Sequence, residues 1–260
     1  MQGSCKSPHT RKIATFIGKI MGAQKISTST SLTRSEPSSQ PVVSEQQIEA
    51  ARYAVLRRLS PCLRHHMVRP LQPIGLIYGV MQHKLSAEVP DLQSVRLEAD
   101  KINEFSKAAL AECANIGSWM APEPGDLIDL GAGVRESVGL LATMLHFCGF
   151  RLVNEVDDMP VQVQQDAMRM VLNAVLLEVT DSLNEPAILT ISATVHDDEA
   201  VVVLQVSPKG EGSVDRYDDG YRKLVWADVQ ALAAAEHVGL LRDNGRIVMT
   251  FPIMGRALAH

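Results

Sequence analysis

Two adjacent histidines, an arginine and two prolines stand close together in the segment 65–74, His-His-Met-Val-Arg-Pro-Leu-Gln-Pro-Ile. On a helix with roughly 100° per residue, His65 projects almost opposite to a narrow apolar stripe, and His66 lies on its flank. An imidazole that faces water from a rigid helix can be reached by the active site of a partner and can act there as a nucleophile. The other side chains predicted on this outward face are Arg58, Cys62, Arg69 and Gln72.

The apolar stripe requires a long helix that begins near Ser44, where Ser44 and Gln47 form a capping box. Ser60-Pro61 resembles a second helix start, so the helix is predicted to restart or kink there. It then continues to about Leu85, bent where Pro70 and Pro73 remove backbone hydrogen bonds. The predicted stripe consists of Leu63, Met67, Leu71, Ile74, Tyr78, Met81 and Leu85.

A second amphipathic helix is predicted from Leu92 to about Trp119, after a turn at residues 86–91. Two long helices joined by a short turn form a hairpin that leaves an apolar face uncovered. A second copy of the chain would cover that face, so we expect a homodimer with a four-helix bundle.

The pattern changes after the Pro-rich segment 120–125, and short strands alternate with helices from there on. Residues 188–195 and 200–206 alternate apolar and polar side chains and predict adjacent strands, with Asp197-Asp198 at the turn. We therefore predict an α+β fold, a helical hairpin followed by a sheet covered by helices. The remaining predicted elements are strands at 127–130, 151–156, 240–241 and 247–251, and helices at 132–148, 163–180 and 225–237.

Composition excludes several classes of protein. Aromatic residues make up 4% of the chain, which argues against a surface that stacks bases, so we expect no nucleic-acid partner. Residues 1–43 are interpreted as a basic tail and linker, because residues 22–43 have almost no bulky apolar side chains. Residues 1–70 carry a net charge of +8 and the remainder −13, which can steer an acidic partner toward His65.

Cysteine spacing and hydropathy predict a cytoplasmic protein. The four cysteines are widely spaced and suggest no disulfide framework. Cys62 and His65 lie one helical turn apart, but a lone Cys-x-x-His is too weak a pattern to predict a metal site. No apolar run is long enough to span a membrane. We interpret the short apolar face in residues 11–25 as part of the tail, without membrane contact.

These parts, in this order, resemble a two-component histidine kinase core across roughly residues 44–254. In that family a dimerisation and histidine-phosphotransfer hairpin, here 44–120, precedes an ATP-binding α/β sandwich of the Hsp90 and gyrase type, here 126–254. The family pattern His-Glu-Leu-Arg-x-Pro-Leu-x-x-Ile is matched by His65, Pro70, Leu71 and Ile74. The resemblance implies that His65 is the phospho-accepting residue.

Two departures from the family pattern flank His65. The acidic residue that normally takes the proton of the histidine is replaced by His66, whose neutral imidazole can still act as a base. The small polar residue four positions after the histidine is replaced by Arg69. Its guanidinium can hold a phosphoryl group with a forked set of donors.

The second domain resembles a degenerate ATPase. Asn173 stands where the resemblance implies a magnesium ligand. Pro208 replaces the aspartate that reads adenine, although Gly210 and Gly212 keep the register of the glycines that follow it. Only residues 213–222 separate Gly212 from the last helix, too few for the glycine-rich lid of the family.

The leading hypothesis is a phosphorelay protein that passes a phosphoryl group between the aspartates of receiver domains through His65, without binding ATP. It needs no stably bound cofactor, because magnesium arrives with the receiver. The alternative is a divergent histidine kinase that uses Mg-ATP, with His66 as the base and Asn173 as the magnesium ligand. A third hypothesis is a non-catalytic dimeric scaffold that docks a receiver.

Overall fold

Three helices form the first half of this computed structural model, which describes residues 43–210, 212–214 and 221–256. They are α1 (Glu45–Val68), α2 (Gln72–Leu85) and α3 (Leu92–Met120). The predicted tail at 1–43, with its segment 11–25, lies outside the described residues except for Val43. None of the helices in the described part is both long and apolar enough to cross a bilayer.

Helix α1 begins at the predicted capping box and runs through Pro61 without interruption. The Ser44 hydroxyl accepts a hydrogen bond from the Gln47 amide at 3.2 Å, and the Gln47 side chain accepts one from the Ser44 amide at 3.0 Å. Pro61 has no N–H for the carbonyl of Arg57, but the Ser60 hydroxyl donates to that carbonyl at 2.9 Å. The predicted restart at Ser60-Pro61 is therefore wrong, because Ser60 provides the missing donor.

The predicted bend is a full break between α1 and α2 at residues 69–71. Pro70 is buried there, and α2 starts at Gln72 with Pro73 in its first turn, where a missing N–H costs least. Asp91 caps α3, because its carboxylate accepts hydrogen bonds from the amides of Gln93 and Ser94 at 3.1 Å. Helices α2 and α3 pack together as the predicted hairpin.

The second half is a sheet-containing region, and the whole is an α+β fold, as predicted. A five-stranded sheet has the order β2-β4-β5-β7-β6, in which only β2 and β4 are parallel. Asp197 occupies the tight turn between β4 and β5, as expected, with φ of 46°. The strands of this sheet are β2 (Arg151–Asn154), β4 (Ala187–His196), β5 (Glu199–Pro208), β6 (Gly239–Asp243) and β7 (Arg246–Pro252).

A second, three-stranded sheet has the order β1-β3-β8, formed by β1 (Leu127–Asp129), β3 (Val161–Gln164) and β8 (Gly255–Arg256). Strands β3 and β8 were not predicted, because residues 163 and 164 were assigned to the helix that follows and β8 has only two residues. The predicted helix at 163–180 consequently starts later. The helices of this region are α4 (Leu130–Phe147), α5 (Gln165–Ala167), a π-helical segment (Met168–Leu172), α6 (Asn173–Ser182) and α7 (Trp226–Ala235).

One hydrophobic core joins α1 to the sheet region. Ala51, Ala54, Val55 and Leu59 of α1 are fully buried and belong to the same cluster as the apolar residues of the sheet and its helices. Helix α1 packs against α7, α4 and α6. The amino-terminal half of α1 thus buries its apolar face against the following region, whereas α2 has no buried residue.

Candidate functional site

Helix α1 is fixed in rotation by a buried ion pair with the end of α6. Both guanidinium nitrogens of Arg58 bond the Asp181 carboxylate, at 2.7 and 2.9 Å, and both side chains are about nine-tenths buried. The same carboxylate accepts a hydrogen bond from the Leu224 amide at 3.2 Å. Two parallel N–H···O bonds constrain both the distance and the orientation of the partners. Arg58 therefore points inward, not onto the outward face where the sequence placed it.

A second set of contacts anchors α1 nearer its start. Arg52 pairs with the buried carboxylate of Glu236 at 2.6 Å. The rings of Tyr53 and Tyr221 meet edge to face, with centroids 5.7 Å apart. Together with the Arg58–Asp181 pair, these contacts determine which side of α1 faces the sheet region and which side faces water.

His65 lies on nearly the same side of α1 as Arg58, but roughly 10 Å further along the axis, where the helix is no longer covered. Its side chain is exposed, as predicted. Cys62, one turn earlier, is buried instead of sharing this face, and its thiol contacts the sulfur of Met144 at 3.7 Å. Burial, with a smaller contribution from Cys148, raises the pKa of the Cys62 thiol to about 11. The outward face around His65 is thus narrower than the sequence predicts, because the sheet region covers Arg58 and Cys62.

His66 lies on the flank of α1 and lines a cavity of about 210 Å³ between α1, α3 and α4. The rings of His65 and His66 are edge to face, with centroids 6.2 Å apart. Arg69 is exposed and also borders this cavity. The structure brings His66 and Arg69 to one cavity, whose other lining residues are Leu63, Glu112, Asn115, Ile116, Trp119, Arg135, Glu136, Gly139 and Leu140.

A buried arginine that the sequence analysis did not single out supports the wall of this cavity. Arg169 is 1% exposed and bonds both carboxylate oxygens of Glu136, at 2.7 and 3.1 Å. It also donates to the Ser118 hydroxyl and the Asn115 side chain, each at 3.0 Å, and its guanidinium lies 4.7 Å from the ring centroid of Trp119. Arg169 therefore ties the end of α3 to α4. Its signal in the sequence is its place four residues before Asn173, one helical turn away.

Asn173, the candidate magnesium ligand, is sealed inside the sheet region. Its side chain is 0% exposed, and its amide nitrogen donates to the Arg169 carbonyl at 2.7 Å and to the Ser137 hydroxyl at 3.2 Å. Its amide oxygen has no hydrogen-bond partner among the described residues. Two acceptors occupy the amide nitrogen of Asn173 and its oxygen is buried, so a magnesium ion could reach that oxygen only if the surrounding helices moved apart.

The loop after β5 is packed where the family resemblance implies a nucleotide. The Lys209 amide donates to the Pro186 carbonyl at 3.1 Å, and its ammonium donates to the Gly149 carbonyl at 3.0 Å. A Cβ on Gly212 would lie 3.0 Å from the ring of Pro186, and one on Gly149 would lie 3.0 Å from the Ser213 carbonyl. Close backbone packing thus accounts for glycine at 149 and 212 without a ligand.

The α2–α3 hairpin is held at its turn by charged side chains and leaves apolar residues uncovered. Lys84 donates to Glu98 at 2.8 Å and to Ser94 at 2.7 Å, and hydrogen bonds from Lys84 and Lys101 lower the pKa of Glu98. Several large apolar side chains of the hairpin are more than half exposed in the single chain: Leu76, Tyr78, Val89, Leu92, Leu97 and Leu110.

Comparison with known proteins gives weak matches to histidine kinases. No family model and no curated protein matches the chain. Among solved structures, the histidine kinase AdeS of Acinetobacter baumannii has 16% identity and a TM-score of 0.37, over 73% of this chain and 96% of that one. The blue-light activated histidine kinase of Erythrobacter litoralis has 14% identity and a TM-score of 0.39, over 68% of this chain and 62% of that one. The mycobacterial sensor histidine kinase MprB has 12% identity and a TM-score of 0.37, over 51% of this chain and all of that one. Likeness this weak does not by itself establish shared chemistry.

Proposed function

We propose that this chain is a histidine phosphotransfer protein of a two-component system, in which His65 carries a phosphoryl group between the aspartates of receiver domains. The observation that carries the proposal is the exposed imidazole of His65 on a helix that the Arg58–Asp181 pair anchors two turns earlier. A nucleophile presented in this way needs no movement of its own domain before a partner's active site can reach it.

The transfer requires only the imidazole from this chain. The lone pair of a ring nitrogen of neutral His65 attacks the phosphorus of the receiver's aspartyl phosphate. An N–P bond forms while the P–O bond to the aspartate breaks, which frees the carboxylate, and the other ring nitrogen gives its proton to water. The reverse steps with a second receiver regenerate His65. We expect magnesium and the acidic pocket to belong to the receiver.

Arg69 is proposed to contact the phosphoryl group. Its amide donates to the His65 carbonyl at 3.0 Å, so it continues the helical geometry one turn beyond His65. Its guanidinium is exposed, and a planar set of N–H donors suits the oxygens of a phosphoryl group.

The protein is proposed to act as a homodimer in the cytoplasm. Helix α2 has no buried residue, and Leu76 of α2 and Leu110 of α3 are 75% and 73% exposed. Large apolar side chains on one hairpin favour association with a second copy of the same face, since burying them removes apolar surface from water.

A divergent ATP-dependent kinase is the second candidate function. The observation that favours it is the unpartnered side-chain oxygen of Asn173, a group able to bind a cation if the surrounding helices opened. In that case His66 would act as the base. The sealed position of Asn173 and the packed loop at Lys209 weigh against it.

The deciding experiment offers the purified protein two phosphoryl donors, radiolabelled ATP and a pre-phosphorylated receiver domain. We expect label from the receiver and none from ATP. His65→Ala should remove the label while light scattering still reports a dimer, and His66→Ala, the matched control, should retain it.

Other outcomes separate the alternatives. Labelling by ATP, together with saturable binding of a fluorescent nucleotide, would establish the kinase. A receiver that binds wild type and His65→Ala equally, with no label ever on the protein, would establish a docking scaffold.

A further inference from the structure

Three exposed arginines near His65 have no carboxylate partner among the described residues, unlike most other described arginines. Arg57, Arg64 and Arg69 are exposed, and none forms an ion pair with a described residue. Most of the other described arginines form an ion pair with a carboxylate. The described arginines with carboxylate partners are Arg52, Arg58, Arg135, Arg169, Arg222 and Arg242.

These three side chains flank the histidine. Arg57 and Arg64 are seven residues apart on α1, so they lie on one stripe, two turns and roughly 10 Å apart along the axis. His65 follows Arg64 directly, and Arg69 lies one turn beyond His65. At roughly 100° per residue, His65 falls between the stripe of Arg57 and Arg64 and the position of Arg69. We call Arg57, Arg64 and Arg69 the arginine surface.

No acidic side chain dilutes this charge along the chain. Between Glu49 and Glu88 the sequence contains no aspartate or glutamate. Glu112, which lines the cavity shared with Arg69, forms no ion pair with it among the described contacts. The arginine surface therefore keeps its positive charge, and its guanidinium groups have donors free for a partner.

We infer that the arginine surface is a docking site for an acidic face on the partner protein and that it sets the rate of productive encounter at His65. This inference rests on the proposed function, because the partner's face must surround its phosphorylated aspartate. Complementary charge accelerates association by about 10- to 1000-fold, and salt screens it over a Debye length of roughly 10 Å at 0.1 M. Arg57 and Arg64 guide the approach, whereas Arg69 also meets the phosphoryl group.

The test measures the second-order rate constant of phosphoryl transfer from a pre-phosphorylated receiver at several salt concentrations. For wild type we expect the rate to fall steeply with salt. Arg57→Gln/Arg64→Gln should lower the low-salt rate about tenfold and flatten the salt dependence. The control is Arg96→Gln on α3, which also removes an exposed arginine without a carboxylate partner and should behave as wild type. All three substituted arginines, Arg57, Arg64 and Arg96, are exposed, and circular dichroism checks that each variant is folded.

The possible results test the docking inference and the proposed phosphotransfer function separately. Equal salt slopes for wild type, Arg57→Gln/Arg64→Gln and Arg96→Gln would overturn the docking inference while leaving phosphotransfer intact. Absence of transfer at every salt concentration, in wild type as well, would overturn the proposed function. Binding of duplex DNA that is lost in Arg57→Gln/Arg64→Gln, with transfer unchanged, would reassign the surface to nucleic acid.

Discussion

His65 and Asn173 are both polar side chains on helices that the family resemblance assigns to phosphoryl chemistry, and their surroundings are opposite. His65 is exposed beside charged groups without partners, whereas Asn173 is 0% exposed and hydrogen-bonded to Ser137 and to the Arg169 carbonyl. A pattern of residue types identifies candidates for chemistry. Access to a substrate depends on what packs over each position, and only His65 can be reached without opening the core.

Two different sets of contacts produce these surroundings. Helix α1 is held against the sheet region by Arg58–Asp181, and His65 is exposed roughly 10 Å further along the helix axis. Arg169 binds Glu136, Asn115 and Ser118 at the start of the helix that carries Asn173. Three substitutions test how firmly each side is held.

The largest effect is expected from breaking the anchor of α1. Arg58→Met should reduce the free energy of unfolding by about 3–5 kcal/mol, because it leaves the Asp181 carboxylate buried without its partner. It should also slow phosphoryl transfer, since α1 would lose its fixed rotation. Urea denaturation measures the first effect. In the double variant Arg58→Met/Asp181→Leu, where no charge remains buried, most of the lost stability should return. A full loss of stability in that double variant would show that the pair does more than satisfy its own charges.

A smaller effect is expected at Asn173. Asn173→Ala removes the hydrogen bonds to Ser137 and the Arg169 carbonyl and should cost about 1–3 kcal/mol of unfolding free energy. Transfer from a phosphorylated receiver should stay at the wild-type rate, because the amide lies inside the core. Stopped-flow transfer and urea denaturation on the same samples separate the two quantities. A transfer rate that falls in a folded Asn173→Ala variant would show that Asn173 takes part in phosphoryl transfer.

The smallest effect concerns Asp166, at the start of the helix that leads to Asn173. Burial, and the nearby Glu236 carboxylate, raise the pKa of Asp166, although Arg169 and Arg52 oppose the shift. A raised pKa in the folded state means that stability is full at low pH and is lost as pH rises through that pKa. Asp166→Asn should therefore melt at a higher temperature than wild type at pH 7, and the two melting temperatures should converge as pH falls into the acidic range. Thermal melts at several pH values measure this difference. A lower melting temperature for Asp166→Asn than for wild type at pH 7 would show that the charged Asp166 carboxylate stabilises the fold.

Local patterns predicted the elements whose causes lie within a few residues. The Ser44 capping box and the Asp197-Asp198 turn depend on neighbouring backbone groups, so they were predictable. The continuous helix at Ser60-Pro61 was not predicted, because the same two residues are also typical of a helix start; here the Ser60 hydroxyl donates to the Arg57 carbonyl and the helix continues. Strand β3 alternates Val and Gln over only four residues and β8 has two residues; β3 pairs with β1 and β8, and β8 pairs with β3.

The sequence by itself determined that His65 would lie on a long helix, because the capping box and the helical period of apolar side chains are local features. Only the tertiary structure decided that Arg58 and Cys62 are inside, since a partner from α6 or α4 is brought to them by the fold and not by their neighbours in the chain. The burial of Asn173 and the role of Arg169 have the same origin: both depend on groups more than thirty positions away, such as Ser137 and Glu136. Helical periodicity is a local property, whereas burial is a property of the whole packed core.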